Sequence, residues 1–317
     1  MKPFLQKTIL FLLLMAAGIT VIQAWVSFRI RGKTIRGHDN LEQTSGIDAD
    51  LLFMGSSRCW AHFDPRFFDS AYGIRSVNIG VDGHSELTMT ILRLNDYLAR
   101  NKAPRVAILS FDPFMSAGTL TGNTNFVHKN DFARYAFFPS RDTRPVVDYF
   151  QFDLYERYAP LYALFKYKLF FDAIFLDHVS NWVTYGYEMH DETWDTIARP
   201  VTDIMKTQLF KLSEVDSISI SLKNLNSLCR QYGIALVCIQ TPVYKACYDE
   251  RLFRETREIC SRSGIPFIDT NMEAIRNDIG FFYNSNHLNK RGVDSLNRLL
   301  AQDSLFSTYM ARLTKTE

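Results

Sequence analysis

The chain has 317 residues, of which 47% are hydrophobic and 22% charged, and a net charge of +2. That length holds one large domain or a medium domain with an insertion, and that composition excludes wholesale disorder. The near-neutral charge offers no basic stripe of the kind nucleic-acid binding needs, so no nucleic-acid partner is expected.

Residues 9–26 are apolar apart from Thr20 and Gln23, close to the length that crosses a bilayer. Trp25 stands where an interfacial aromatic belongs. The run is longer than a signal-peptide core and Gln23-Ala24 is a weak cleavage site, so a single-pass membrane anchor over residues 1–28 is expected ahead of a cleaved signal peptide. Arg29, Arg31, Lys33 and Arg36 follow the run. Taken alone, they favour a cytoplasmic main domain. Residues 29–46 are polar and contain glycine, as a linker would.

Strand and helix signals then alternate. Residues 47–54 predict a buried strand that ends in the small-residue turn Gly55-Ser56-Ser57, and residues 75–78 predict a second. Residues 86–99 carry apolar side chains at helical spacing, and residues 106–111, introduced by Pro104, predict a third strand. After a long interval come a helix over 218–232 stopped by Gly233, a strand over 234–239 and a helix over 249–263. A short strand over 266–269 and a last helix over 289–301 complete the pattern. Alternation of this kind implies a three-layer, flavodoxin-like parallel sheet covered by helices on both faces. The α/β domain is expected over residues 47–122 and 205–317. Residues 123–204 are too many for an ordinary crossover. Their wealth of Phe, Tyr and Trp predicts an inserted helical cap, either a satellite core or a lid or partner surface. Lys166, Lys168 and Asp172 argue against a second membrane span there.

Five cysteines form no CxxC pair, and the odd number argues against a complete disulfide framework. Buried small side chains are the expectation. No Cys/His spacing fits zinc, and neither a metal nor another cofactor is expected.

Two segments more than two hundred residues apart carry the chemistry. Ser57 follows the first strand through Gly55, which would lift its hydroxyl to the carboxyl edge of the sheet. His287 lies in the polar loop Asn284-Ser285-Asn286-His287, just before the last helix. A hydroxyl becomes a competent nucleophile when a neighbouring base takes its proton. The second strand runs into Asn78-Ile79-Gly80-Val81-Asp82-Gly83, where glycines let backbone N–H groups approach a developing oxyanion. Arg58 and Asn78 are candidates for substrate contact, with Arg58 suited to an anionic group. The plainer reading of Ser56 and Ser57 is a helix cap. For Arg58, His62 and His84 it is a structural role.

Together these segments resemble the SGNH/GDSL hydrolase superfamily. The resemblance covers roughly residues 47–112 and 215–305. It implies Ser57 as nucleophile, His287 as base, and the Ser57 and Gly83 backbones as oxyanion donors. The Gly-Ser-Ser turn, the N-terminal anchor and the Thr241-Pro242 strand end look most like the membrane-anchored DltD-like and AlgX/AlgJ-like proteins. Those work with membrane-bound O-acyltransferases on envelope polymers. The resemblance therefore implies an esterase or O-acyltransferase acting on an acylated envelope glycan or polymer, with its main domain outside the cytoplasmic membrane. A membrane-bound O-acyltransferase would be its partner.

Two positions depart from the family pattern. Asn284 stands where the family has aspartate, leaving Asp278 or Asp269 as substitute carboxylates. The third strand ends in Asp112-Pro113, without the family's oxyanion asparagine. The alternative implied by Asn284 is a degenerate fold that serves as a binding or scaffold partner.

Overall fold

The structure, a computed structural model, describes residues 2–31, 40–117, 127–175, 183–198, 200 and 212–314. Residues 32–39 of the expected linker, including Lys33 and Arg36, lie outside the described residues. So do the expected boundaries at 122/123 and 204/205. The chain divides into two compact units, one of residues 1–42 and 122–181, the other of residues 43–121 and 182–317.

The second unit is α/β. Its sheet strands are β1 (Leu51–Met54), β2 (Ser76–Asn78), β3 (Val106–Ser110), β4 (Ala235–Gln240) and β5 (Phe267–Asp269). All are parallel, in the order β2-β1-β3-β4-β5. Successive strand residues face opposite sides of a sheet, and here both sides are apolar. Leu52, Met54, Ala107, Leu109, Leu236 and Cys238 enter one core. Leu51, Phe53, Val106, Ile108, Val237 and Ile239 enter the other. These strands therefore read as continuous apolar runs rather than alternating ones.

Helices cover both faces. Between β1 and β2 lie α2 (Ser57–His62) and α3 (Pro65–Tyr72), which bury Phe63 and Phe68 in the second core. On the first core lie α4 (Leu87–Arg100), α5 (Leu212–Gln231) and α6 (Glu250–Arg262), through Leu94, Leu222 and Ile259. The terminal helices α7 (Lys290–Gln302) and α8 (Ser304–Thr314) return to the second core through Leu296, Phe306 and Met310. Each fully buried side chain of this size contributes about 1.5–3 kcal/mol. The three-layer, flavodoxin-like expectation matches this architecture.

Some boundaries differ from the sequence reading. The first strand begins at Leu51 because the Ile47 and Asp48 N–H groups are held by the Asn101 side chain, and Asp48 has a φ of 50°. Residues 183–198 fall in the α/β unit rather than with the insertion. Tyr187 and Trp194 join the second core, and the Trp194 N–H bonds the Phe282 carbonyl at 2.8 Å.

The other unit joins the N-terminal helix α1 (Lys2–Arg31) to the aromatic insertion. Lys2–Ile30 is long and apolar enough to cross a membrane. The insertion is a string of short helices, among them Arg144–Tyr149, Leu154–Tyr158, Tyr162–Lys166 and Leu169–Phe175.

Candidate active site

In the strand order 2-1-3-4-5, the chain leaves β1 toward one face of the sheet and returns from β2 across the other. The carboxyl ends of β1 and β3 thus flank a crevice, where open α/β sheets bind ligands. Ser57 and Asp112 lie just beyond those two ends.

Gly55 makes the turn out of β1. Its φ is 143°, and a Cβ there would lie 3.0 Å from the Ser110 carbonyl oxygen and 3.2 Å from the Cys59 Cβ. Ser56 then caps α2, its hydroxyl accepting the Arg58 N–H at 3.3 Å. Ser57 is thereby the first helical residue, where a backbone N–H has no acceptor within the helix. The capping reading was therefore right for Ser56, which leaves the Ser57 hydroxyl free for another partner.

That partner is His287. Its Nε2 lies 2.8 Å from the Ser57 Oγ, and its Nδ1 lies 2.9 Å from the Asn284 Oδ1. The same Asn284 oxygen accepts the backbone N–H groups of Asn286 at 3.1 Å and His287 at 2.9 Å. Two backbone donors aimed at one atom identify that atom as the oxygen. The imidazole must then carry its proton on Nδ1, leaving the Nε2 lone pair toward the hydroxyl. Asn284 thus orients the ring as an aspartate would, without the negative charge. Burial first, and then the Arg58 charge, push the His287 pKa down to about 3, opposed by Asp82.

A short hairpin, Phe282–Asn284 against His287–Leu288, carries the histidine. Asn289 caps α7 by accepting the Gly292 N–H. A Cβ on Gly292 would come within 2.2 Å of the Phe281 carbonyl oxygen, so only glycine lets α7 sit this close to the hairpin. His62, fully buried, accepts the Leu288 N–H at 3.0 Å through Nε2 and directs Nδ1 to the Thr241 hydroxyl at 2.9 Å. It fastens the residue next to the base.

Arg58 does not face a substrate. It is 1% exposed, and its Nε lies 3.0 Å from the equally buried Asp112. The guanidinium also donates to the Thr241 carbonyl and hydroxyl, to the Pro242 carbonyl and to the Asn286 carbonyl. One side chain so joins the ends of β1, β3 and β4 to the histidine loop. Asn78 is likewise sealed, donating to the Cys59 and Phe63 carbonyls and accepting the Gly80 N–H. Both expected substrate contacts are corrected to internal braces, because their polar atoms are turned to buried partners: strand-end carbonyls, the Thr241 hydroxyl and Asp112 for Arg58, and backbone groups of α2, its C-cap and Gly80 for Asn78.

Gly80 lies against α2, where a Cβ would meet the Trp60 nitrogen at 2.5 Å. Gly83 lies in the following turn, exposed, with a φ of 70°. Neither substitute carboxylate serves His287: Asp278 accepts the Gly280 N–H, and Asp269 pairs with Arg257.

An aromatic wall flanks the base, and the sequence reading missed it. Tyr283 stacks on His287 with ring centroids 5.4 Å apart, and His190 stacks on Tyr283 at 4.0 Å. Trp60 meets His190 edge-on. Nothing local in the sequence links position 190 to this hairpin. All five cysteines are buried free thiols, and among the described residues no cluster of His, Cys, Asp or Glu is placed to hold a metal ion.

No family model matches the chain, and no curated protein is similar to it. Among solved structures it is similar to a GDSL-like lipase from Bacteroides thetaiotaomicron. The identity is 11%, with 81% of this chain and 87% of that chain covered, at a TM-score of 0.39.

Proposed function

We propose that this chain is a serine esterase or O-acyltransferase of the SGNH type, acting on acyl esters of a cell-envelope glycan or polymer. The observation that carries this reading is the relay from Ser57 Oγ through His287 to the Asn284 oxygen, with links of 2.8 and 2.9 Å. The motif resemblance supports the same reaction class and an extracytoplasmic main domain beside a membrane-bound O-acyltransferase.

In this mechanism His287 Nε2 takes the Ser57 proton as Oγ attacks the acyl carbonyl carbon. The Ser57 and Gly83 backbone N–H groups hold the resulting oxyanion. The tetrahedral intermediate collapses, the imidazolium returns its proton to the departing alkoxide, and an acyl-serine remains. Water or a glycan hydroxyl, deprotonated by the same Nε2, then attacks the acyl carbon and releases Ser57. Asn284 keeps Nδ1 protonated throughout. In serine proteases an Asp-to-Asn change lowers turnover about 10⁴-fold because the imidazole takes the wrong tautomer. Here two backbone N–H groups fix the amide oxygen toward the ring, which removes that cause of failure.

A scaffold role is the second reading, favoured by the missing carboxylate and the low basicity of His287. Turnover of a chromogenic acetyl ester by the full chain separates the two. The enzyme reading expects hydrolysis that falls by about 10³-fold or more in Ser57→Ala and in His287→Ala. No turnover above these variants in the unaltered chain sinks it.

A further inference from the structure

The unit of residues 1–42 and 122–181 is built differently from the sheet domain. Among the described residues, the insertion exposes nine large apolar or aromatic side chains between positions 127 and 175, against five across the whole α/β unit. They include Phe138, Tyr155, Tyr158, Phe165, Phe171 and Phe175, each 48% exposed or more. Several touch one another: Phe138 lies against Tyr158, and Phe171 against both Phe165 and Phe175. The charged Glu156 is by contrast drawn inward, where it accepts from Lys166 and from the Tyr167 hydroxyl. An apolar surface this dense in water marks an interface.

Among the described residues, the insertion grips α1 at its C-terminal end. The helix Leu169–Phe175 and the turn Ala133–Tyr135 pack on α1. There Val26 and Ile30 are fully buried and Gln23 is 2% exposed. The Gln23 Oε1 accepts the Leu161 N–H at 2.6 Å, and Arg134 donates to the Ile30 carbonyl at 2.6 Å. Leu161 has a φ of 64°, a strained state that persists only where neighbours fix it. Removing α1 would take away the acceptors of that N–H and of one Arg134 donor. The opposite end of α1, from Phe4 to Met15, has no such cover. A bilayer core of about 30 Å takes up roughly 20 helical residues. Seating residues 4–22 in it puts positions 23–30, and the insertion they hold, at the lipid–water boundary.

We propose that the insertion is a membrane-interface collar: α1 is retained as its central post, and the exposed aromatic side chains lie among the headgroups and upper acyl chains. Phe, Tyr and Trp are the residues that favour this depth. Trp25, 53% exposed on the gripped segment, belongs to the same belt. This inference is independent of the reaction assigned to Ser57.

The test uses the full chain in phosphatidylcholine–phosphatidylglycerol vesicles whose acyl chains carry bromine near either the carbonyl or the methyl end. Phe171→Trp and Tyr155→Trp are made in a Trp25→Phe background, with Ile220→Trp on α5 as the control. The collar predicts that shallow bromines quench the emission of both added tryptophans more than deep ones do, and leave the control unchanged. Emission at 155 and 171 as insensitive to bromine as the control would overturn it and reassign the face to a protein partner. Intact mass of the membrane-bound chain supplies a second readout. Retention of residues 2–31 is expected, and a product cut near Ala24 would contradict the retained post.

Discussion

The two units obey opposite surface rules. The α/β unit keeps its large apolar side chains in two cores flanking the sheet. The helix-borne insertion buries some of its aromatics, among them Phe132, Tyr149 and Phe150, but turns a dense set of other rings outward. The difference is what the proposed collar explains: a sheet unit surrounded by water, and an insertion whose outer rings meet a second, apolar medium. It also separates their proposed tasks, since Ser57 and His287 belong wholly to the sheet unit.

The sharpest probe on the sheet side is Asn284. Asn284→Leu removes the acceptor that fixes the imidazole, and ester turnover should fall by about 10³–10⁴-fold. Asn284→Asp keeps the acceptor and adds the missing charge, so turnover should rise and the acid limb of kcat/KM should move to higher pH. A pH–rate profile of both variants checks the pair. Next in size is Arg58→Met, which leaves the Asp112 carboxylate buried beside no cation. A loss of about 3–5 kcal/mol is expected in denaturant unfolding.

A smaller effect comes from pH. His62 is fully buried, and desolvation followed by the Arg58 charge holds its pKa well below the ordinary value. The unfolded chain therefore binds a proton that the folded chain refuses. The stability from this group is whole above about pH 6.5. It is lost at up to ~1.4 kcal/mol per pH unit as pH falls toward the folded pKa. Thermal melts from pH 8 to about pH 5 should show this decline; His287, whose pKa is also lowered, adds a second share, so His62→Gln should reduce the slope without abolishing it. The smallest effect is expected on the other unit. Tyr155→Ser and Phe171→Ser should change stability in detergent by no more than about 0.5 kcal/mol, while weakening partition into vesicles. A large loss of stability from either would break the contrast by making those rings part of a core.

The sheet was legible because its strands are short apolar runs closed by Gly, Pro or polar residues, and its helices carry apolar residues at helical spacing. Ser57 and His287 were legible as types in suggestive places. Their 2.8 Å approach was not, since it depends on hairpin geometry and on a brace from His62 to Leu288. Arg58 misled for a physical reason: an arginine beside a candidate nucleophile reads as a ligand for anions, and only the meeting of three strand ends shows that its guanidinium is turned to carbonyls, a hydroxyl and Asp112. Residues 183–198 were placed with the aromatic insertion because composition alone cannot tell which core a Tyr or Trp enters.

The most direct test of the central claim is mass spectrometry of the full chain after treatment with a fluorophosphonate. Reaction of an activated serine leaves the phosphonyl group on one hydroxyl with loss of fluoride. A single adduct on the peptide containing Ser57, lost in His287→Ala while that variant keeps its fold, is the predicted result. An unmodified Ser57 in the unaltered chain, or labelling at the same rate without His287, would contradict it.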